Sequence, residues 1–139
     1  MNPTTRRRAA AVAAMLCVIA LGLASRRWPG ALPAVFGKYP GDALWATMVV
    51  LGWCALRPGA RTREIALLAA LTCVTVEVAK LWQAPWLVAF RHTPVGHLLL
   101  GHAFSWQNLV AYGAGVLAGL LIVGLLPAPG SPTMRAAHS

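Results

Sequence analysis

Four apolar runs, each bounded by charge or by proline and glycine, make up most of this chain: residues 9–24, 42–56, 64–83 and 105–126. All four read as helices. The first would be about 24 Å long, slightly short for a hydrocarbon core about 30 Å thick. Residues 25–41 carry Pro29, Gly30, Pro33, Gly37, Pro40 and Gly41, which break helix and strand alike. Asp42 follows Pro40-Gly41 and precedes Ala43-Leu44-Trp45, an N-cap arrangement. Arg57 to Arg63, with Pro58-Gly59, forms a tight basic loop. Residues 85–104 contain Pro94, Gly96 and Gly101 and are too broken for a spanning helix; an interfacial or re-entrant segment is expected there. Ser105-Trp106-Gln107-Asn108 opens the last run, with Ser105 as cap and Asn108 at the capping-box position. Pro127, Pro129 and Pro132 close it, and residues 127–139 read as a disordered tail.

Composition turns these runs into membrane segments. Hydrophobic residues are 58% of the 139 and charged residues 11%, against about 25% charged in an ordinary soluble domain. A chain this short has too few charges to make a water-facing surface, so lipid must solvate much of it. The expected fold is all-α, a single domain over residues 1–126: an integral membrane bundle of four transmembrane helices. A cleavable signal peptide is the rival reading of the first run, with Gly22-Leu23-Ala24 as the cleavage site. Arg26-Arg27 and the short remainder speak against it.

The net charge of +9 is arranged as clusters at the ends of apolar runs, which is the pattern of membrane anchors. No nucleic-acid motif accompanies it. Four spans put Arg6, Arg7, Arg8, Arg57, Arg61, Arg63 and Arg135 on one side, against Arg26, Arg27, Lys38, Lys80 and Arg91 on the other. The positive-inside rule then sets both termini in the cytoplasm, a bacterial inner membrane being the expected location. Membrane lipids are the expected partners, with a second copy or another membrane protein as a further one. Cys17, Cys54 and Cys73 each lie in an apolar run without C-x-x-C spacing, so neither a disulfide nor a zinc site is expected.

In an up-down bundle, Asp42, Glu77, Lys80, Arg91 and Ser105 to Asn108 fall toward one membrane face, with Trp28, Trp45, Trp82, Trp86 and Trp106. Trp53 falls at the other. Glu77 stands out, because a carboxylate at membrane depth costs at least ~2.5 kcal/mol and needs a partner. It lies about 9 Å of helix from Gln83, in the outer part of the bilayer. Lys80 at i+3 is one partner; Arg91 is the other if Lys80 snorkels to the interface. The pair is either a structural ion pair or part of a working site. Asp42 and Asn108 are either caps or site members, and Arg91 either a lipid-phosphate anchor or a site member.

His92, His97 and His102 are spaced by five, which turns a helix by about 140° and builds no metal face. No metal or cofactor is expected, although the histidines would give that loop pH sensitivity. Gly115 and Gly119 form a GxxxG that favours close helix packing, within the monomer or between copies. No Ser-His-Asp set, nucleotide-binding glycine loop or glycosidase-type carboxylate pair is present.

The segments Tyr39-Pro-Gly-Asp-Ala-Leu-Trp45, Val76-Glu77, Leu81-Trp-Gln-Ala-Pro-Trp-Leu87, Arg91, Gly96-His-Leu-Leu-Leu-Gly101 and Phe104-Ser-Trp-Gln-Asn-Leu-Val-Ala-Tyr112, then Gly115, resemble a family of small bacterial membrane proteins called domain of unknown function 2809. They are distantly similar to VanZ-type membrane proteins, which share a Glu, Arg and Asp/Asn pattern in their last helices. Three positions depart from the family pattern: Lys80 stands where the family has glutamine, Asn108 where it has aspartate, and Lys38 where it has arginine. The resemblance implies no particular reaction; VanZ-type proteins are linked to glycopeptide resistance and envelope processes. Two functional readings follow. One is an envelope-associated structural or interaction role. The other is a membrane-embedded enzyme or lipid-headgroup binding protein using Asp42, Glu77, Arg91 and Asn108. Transport would require polarity along a whole path, and the polarity here is one-sided.

Overall fold

A computed structural model describes residues 1–33, 37–101 and 103–129. His102 and residues 130–139, which include Pro132, Arg135 and most of the expected tail, lie outside the described residues. The fold is all-α, with six helices and no strand among the described residues. They are α1 (Pro3–Arg27), α2 (Tyr39–Leu56), α3 (Thr62–Ala79), α4 (Pro85–Arg91), α5 (Pro94–Leu100) and α6 (Trp106–Leu125).

Helix α1 is longer than its apolar run. Asn2 caps it by accepting from the Thr4 amide at 3.1 Å, and Pro3 fits the first turn, where no amide partner is needed. Both arginine clusters continue the helix, since arginine is a good helix former, and Arg26 and Arg27 also suit the negative end of its dipole. Its 25 residues make about 37 Å of helix, so the first span is not short. Helix α2 starts three residues before Asp42. Pro40 and Gly41, expected to be loop, lie in its first turn, where proline is tolerated. Lys38 therefore occupies the N-cap position, and Asp42 is a first-turn residue rather than the cap. Helix α3 ends at Ala79 instead of reaching residue 83, and residues 85–101 form the short helices α4 and α5, each opened by a proline.

Helix α2 is the centre of the bundle, flanked by α1 and α6, and α3 packs on α2 and α6. The contacts are made by small side chains. Ala46, Val50, Leu51 and Cys54 of α2 are buried, as are Ile65, Ala69 and Cys73 of α3, with Ala111, Gly115, Gly119 and Val123 of α6. A Cβ on Gly119 would lie 2.7 Å from the Val50 Cβ, and one on Gly115 would lie 2.8 Å from the Ala46 Cβ. Thr47 reinforces this approach by donating to the Gly115 carbonyl at 2.8 Å. The GxxxG faces α2 of its own chain. Larger apolar residues point outward: Leu16 and Leu21 on α1, Leu67, Leu71 and Val78 on α3, and Val110, Leu117, Leu121 and Leu125 on α6.

Two helices, not four, are long and apolar enough to cross a membrane by length and composition: α1 and α6. Helix α2 spends its first turn on Tyr39, Pro40, Gly41 and Asp42, and α3 carries Arg63, Glu64 and Glu77.

The small-residue contact gives a paired prediction. Gly119→Ala should lower stability by about 1–3 kcal/mol, because the new methyl meets the rigid β-carbon of Val50. Gly113→Ala, with nothing within 4 Å, should raise it by up to about 1 kcal/mol through helix propensity. Thermal unfolding of the two variants in detergent checks the opposite signs.

Candidate functional site

The last turn of α3 carries Glu77 into the bundle, where it is 0% exposed. Three donors hold its carboxylate. Lys80 Nζ lies 2.6 Å from Oε2; the Ser105 amide lies 2.7 Å and Asn108 Nδ2 3.1 Å from Oε1. A buried ionised carboxylate is tolerable only when paired and hydrogen-bonded in this way. Lys80, 4% exposed, does not snorkel to the interface; its ammonium also donates to the Tyr112 hydroxyl at 3.3 Å. Gly101, at φ +65°, makes room for it: a Cβ there would sit 3.3 Å from Nζ.

Asn108 does not complete a capping box. Its amide nitrogen goes to Glu77, its backbone N–H to the Ser105 carbonyl at 3.1 Å, and the Ser105 hydroxyl donates to Gln107 Oε1 at 2.5 Å. Arg91 does not pair with Glu77. Buried at 3% exposure, it donates to the carbonyls of Ala79, Lys80 (3.3 Å) and Trp82 (3.0 Å). Those carbonyls lie at and just beyond the end of α3, where Ala79 also accepts from the Trp82 amide and Lys80 from the Gln83 side chain, so Arg91 adds a cap from eleven residues downstream of Lys80. A planar guanidinium can serve several carbonyls at once, which lysine cannot.

The C-terminal end of α1 and α3 and the N-terminal end of α2 and α6 meet around one pocket of about 640 Å³. Of the residues singled out from sequence, Asp42, Lys80 and Asn108 line it; Glu77 stands behind Lys80, and Arg91 is not in the wall. Ser25 and His97 also line it, as do Arg26, Lys38, Trp45 and Tyr112. None of these four was singled out as a site residue. Arg26 and Lys38 had read as interface charges and Trp45 as part of an aromatic belt. Tyr112 had a usable signal, since it stands four residues after Asn108 and so shares its helix face. Trp28, Trp82, Trp86 and Trp106 are exposed, whereas Trp45 turns inward onto Tyr112, with ring centroids 5.3 Å apart.

The wall is incompletely satisfied. Asp42 Oδ2, Trp45 Nε1 and Asn108 Oδ1 are buried yet make no hydrogen bond among the described residues. Native proteins leave few buried polar atoms unpaired, so three around one pocket point to a contact from outside the chain. The sole ion pair among the described residues is Lys80–Glu77, so Arg26 and Lys38 stand in the same wall without one. Among the described residues no three of His, Cys, Asp and Glu come together as a metal site.

These features define an all-α protein with two helices long and apolar enough to cross a membrane among the described residues, and with a polar pocket at one end of its bundle. The chain belongs to the family described as Protein of unknown function (DUF2809), which matches residues 31–116. That stretch holds Lys38 to Tyr112 and hence all of the pocket wall except its α1 side, Ser25 and Arg26. No solved structure matches the chain.

Glu77→Gln should cost about 3–5 kcal/mol, because it leaves the Lys80 ammonium buried without a counter-charge. Adding Lys80→Gln should recover most of that loss. Folded yield and unfolding midpoint of the single and double variants provide the check.

Proposed function

We propose that this is a multi-pass protein of the bacterial inner membrane, with α1, α2, α3 and α6 all crossing the bilayer and both termini in the cytoplasm. Its role in the envelope is an interaction: it receives the polar part of a ligand in the pocket at the outer face. The outward-facing leucines and valines of α1, α3 and α6 support immersion in lipid, because water would not solvate them. The buried ends of Glu77 and Lys80 support four spans, since charges inside a bundle that satisfy one another need not prevent a helix from crossing.

The observation that carries the pocket reading is the set of orphaned atoms, Asp42 Oδ2, Trp45 Nε1 and Asn108 Oδ1, on one wall with Arg26 and Lys38. A purely structural bundle would gain stability by pairing or replacing them. Binding is favoured over catalysis because Glu77 has both oxygens engaged and is no free general base.

Single-cysteine labelling in intact cells tests this topology. With the native cysteines replaced by alanine, Lys38→Cys should react with a membrane-impermeant maleimide, and Arg61→Cys should react only after lysis. Labelling of both in intact cells would sink the four-span arrangement; labelling of Arg61→Cys alone would reverse it.

A further inference from the structure

The pocket continues sideways into an apolar crevice of about 80 Å³ between α1 and α2. Val18, Ile19, Leu23, Leu44 and Met48 form its walls, and Arg26, Gly41 and Trp45 line both spaces. A polar chamber that opens onto an apolar seam suits a molecule with both characters. Arg26 Nη2 would be 3.9 Å from a Cβ on Gly41, so the guanidinium lies beside the start of α2.

The wall chemistry narrows the polar end. Lys80 is paired with Glu77, which leaves Arg26 and Lys38 against Asp42, an excess of positive charge. An anion balances that excess, and guanidinium and ammonium groups suit phosphate oxygens. The orphaned atoms ask for something further. Asp42 Oδ2 and Asn108 Oδ1 are acceptors, and Asn108 is 1% exposed, so its oxygen needs a donor from within the pocket. Trp45 Nε1 needs an acceptor. A phosphodiester bearing free hydroxyls supplies all three: oxygen for the tryptophan and the cations, and O–H groups for the two acceptors. A zwitterionic headgroup would bring an ammonium toward Arg26 and Lys38 and leave the excess charge unbalanced.

Resting on the reading of the pocket as a ligand site, we infer that its occupant is an anionic phospholipid with a hydroxylated headgroup, of which phosphatidylglycerol is the simplest. The phosphodiester lies between Arg26 and Lys38, and the headgroup hydroxyls donate to Asp42 and Asn108. The crevice takes the first few carbons of one chain, and the remainder runs along the lipid-facing surface of α1 and α2.

The test uses the full chain in detergent. Native mass spectrometry would measure binding of phosphatidylglycerol, phosphatidylethanolamine, phosphatidylcholine and the soluble headgroup glycerophosphoglycerol. Phosphatidylglycerol should bind at least tenfold more tightly than either zwitterionic lipid, and at least a hundredfold more tightly than glycerophosphoglycerol. The joint Arg26→Gln and Lys38→Gln variant should lose the preference for phosphatidylglycerol. Both side chains interact electrostatically with Asp42, so the unfolding midpoint of the variant is measured beside that of the parent. Equal affinity for the three lipids, or a preference that survives in the variant, overturns the inference; the lipid panel on the parent protein decides this even if the variant does not fold. Glycerophosphoglycerol binding as tightly as the lipid also overturns it, but leaves the pocket as a site for a soluble ligand. If every probe binds the parent no better than the variant, the pocket reading itself falls.

Discussion

A carboxylate inside an apolar bundle must find donors before the surrounding helices can close, and Glu77 finds them in two places. Lys80 comes from the end of its own helix, and the Ser105 amide and Asn108 side chain come from the start of α6. The carboxylate therefore fixes where α6 begins relative to where α3 ends. Arg91 secures the same junction from the other side by donating to the carbonyls of Ala79, Lys80 and Trp82. Between these two anchors the chain forms two short helices rather than a spanning one.

The pocket is a consequence of this junction. Asn108 uses its amide nitrogen on Glu77 and so presents its oxygen, unpaired, to the space beside it. Lys80 is drawn between Glu77 and Tyr112 and becomes a neutralised part of the wall rather than a free cation. The remaining charge of the site then comes from α1 and the start of α2, through Arg26, Lys38 and Asp42. Further along the bundle Gly115, Gly119 and Ala46 let α2 and α6 approach closely, with the Thr47 hydroxyl bonded to the Gly115 carbonyl across the contact.

The existence of the four long helices was legible in the apolar runs, as was the one-sided placement of the polar residues. The ends were less so. Arginine carries α1 past its apolar limits, and Pro40 and Gly41 look like loop although proline is compatible with a helix's first turn. Within the site, the Glu77–Lys80 pair was readable because i and i+3 share a helix face. The partners of Arg91 and Asn108 were not, because they depend on how residues 80–105 fold back. Arg26 and Lys38 were equally opaque: a cation beside an apolar run marks an interface in sequence, and only the meeting of α1 with α2 turns it into a pocket wall.

Amide exchange at Ser105 is the most direct probe of the central interaction. An N-cap residue contributes no amide to its own helix, so its N–H would ordinarily exchange as fast as a loop amide. Here it donates to the buried Glu77 carboxylate at 2.7 Å. Hydrogen–deuterium exchange by NMR in lipid nanodiscs should show Ser105 protected as strongly as amides in the middle of α6. Exchange at the rate of an open loop would contradict the account, since Glu77 would then not hold the start of α6.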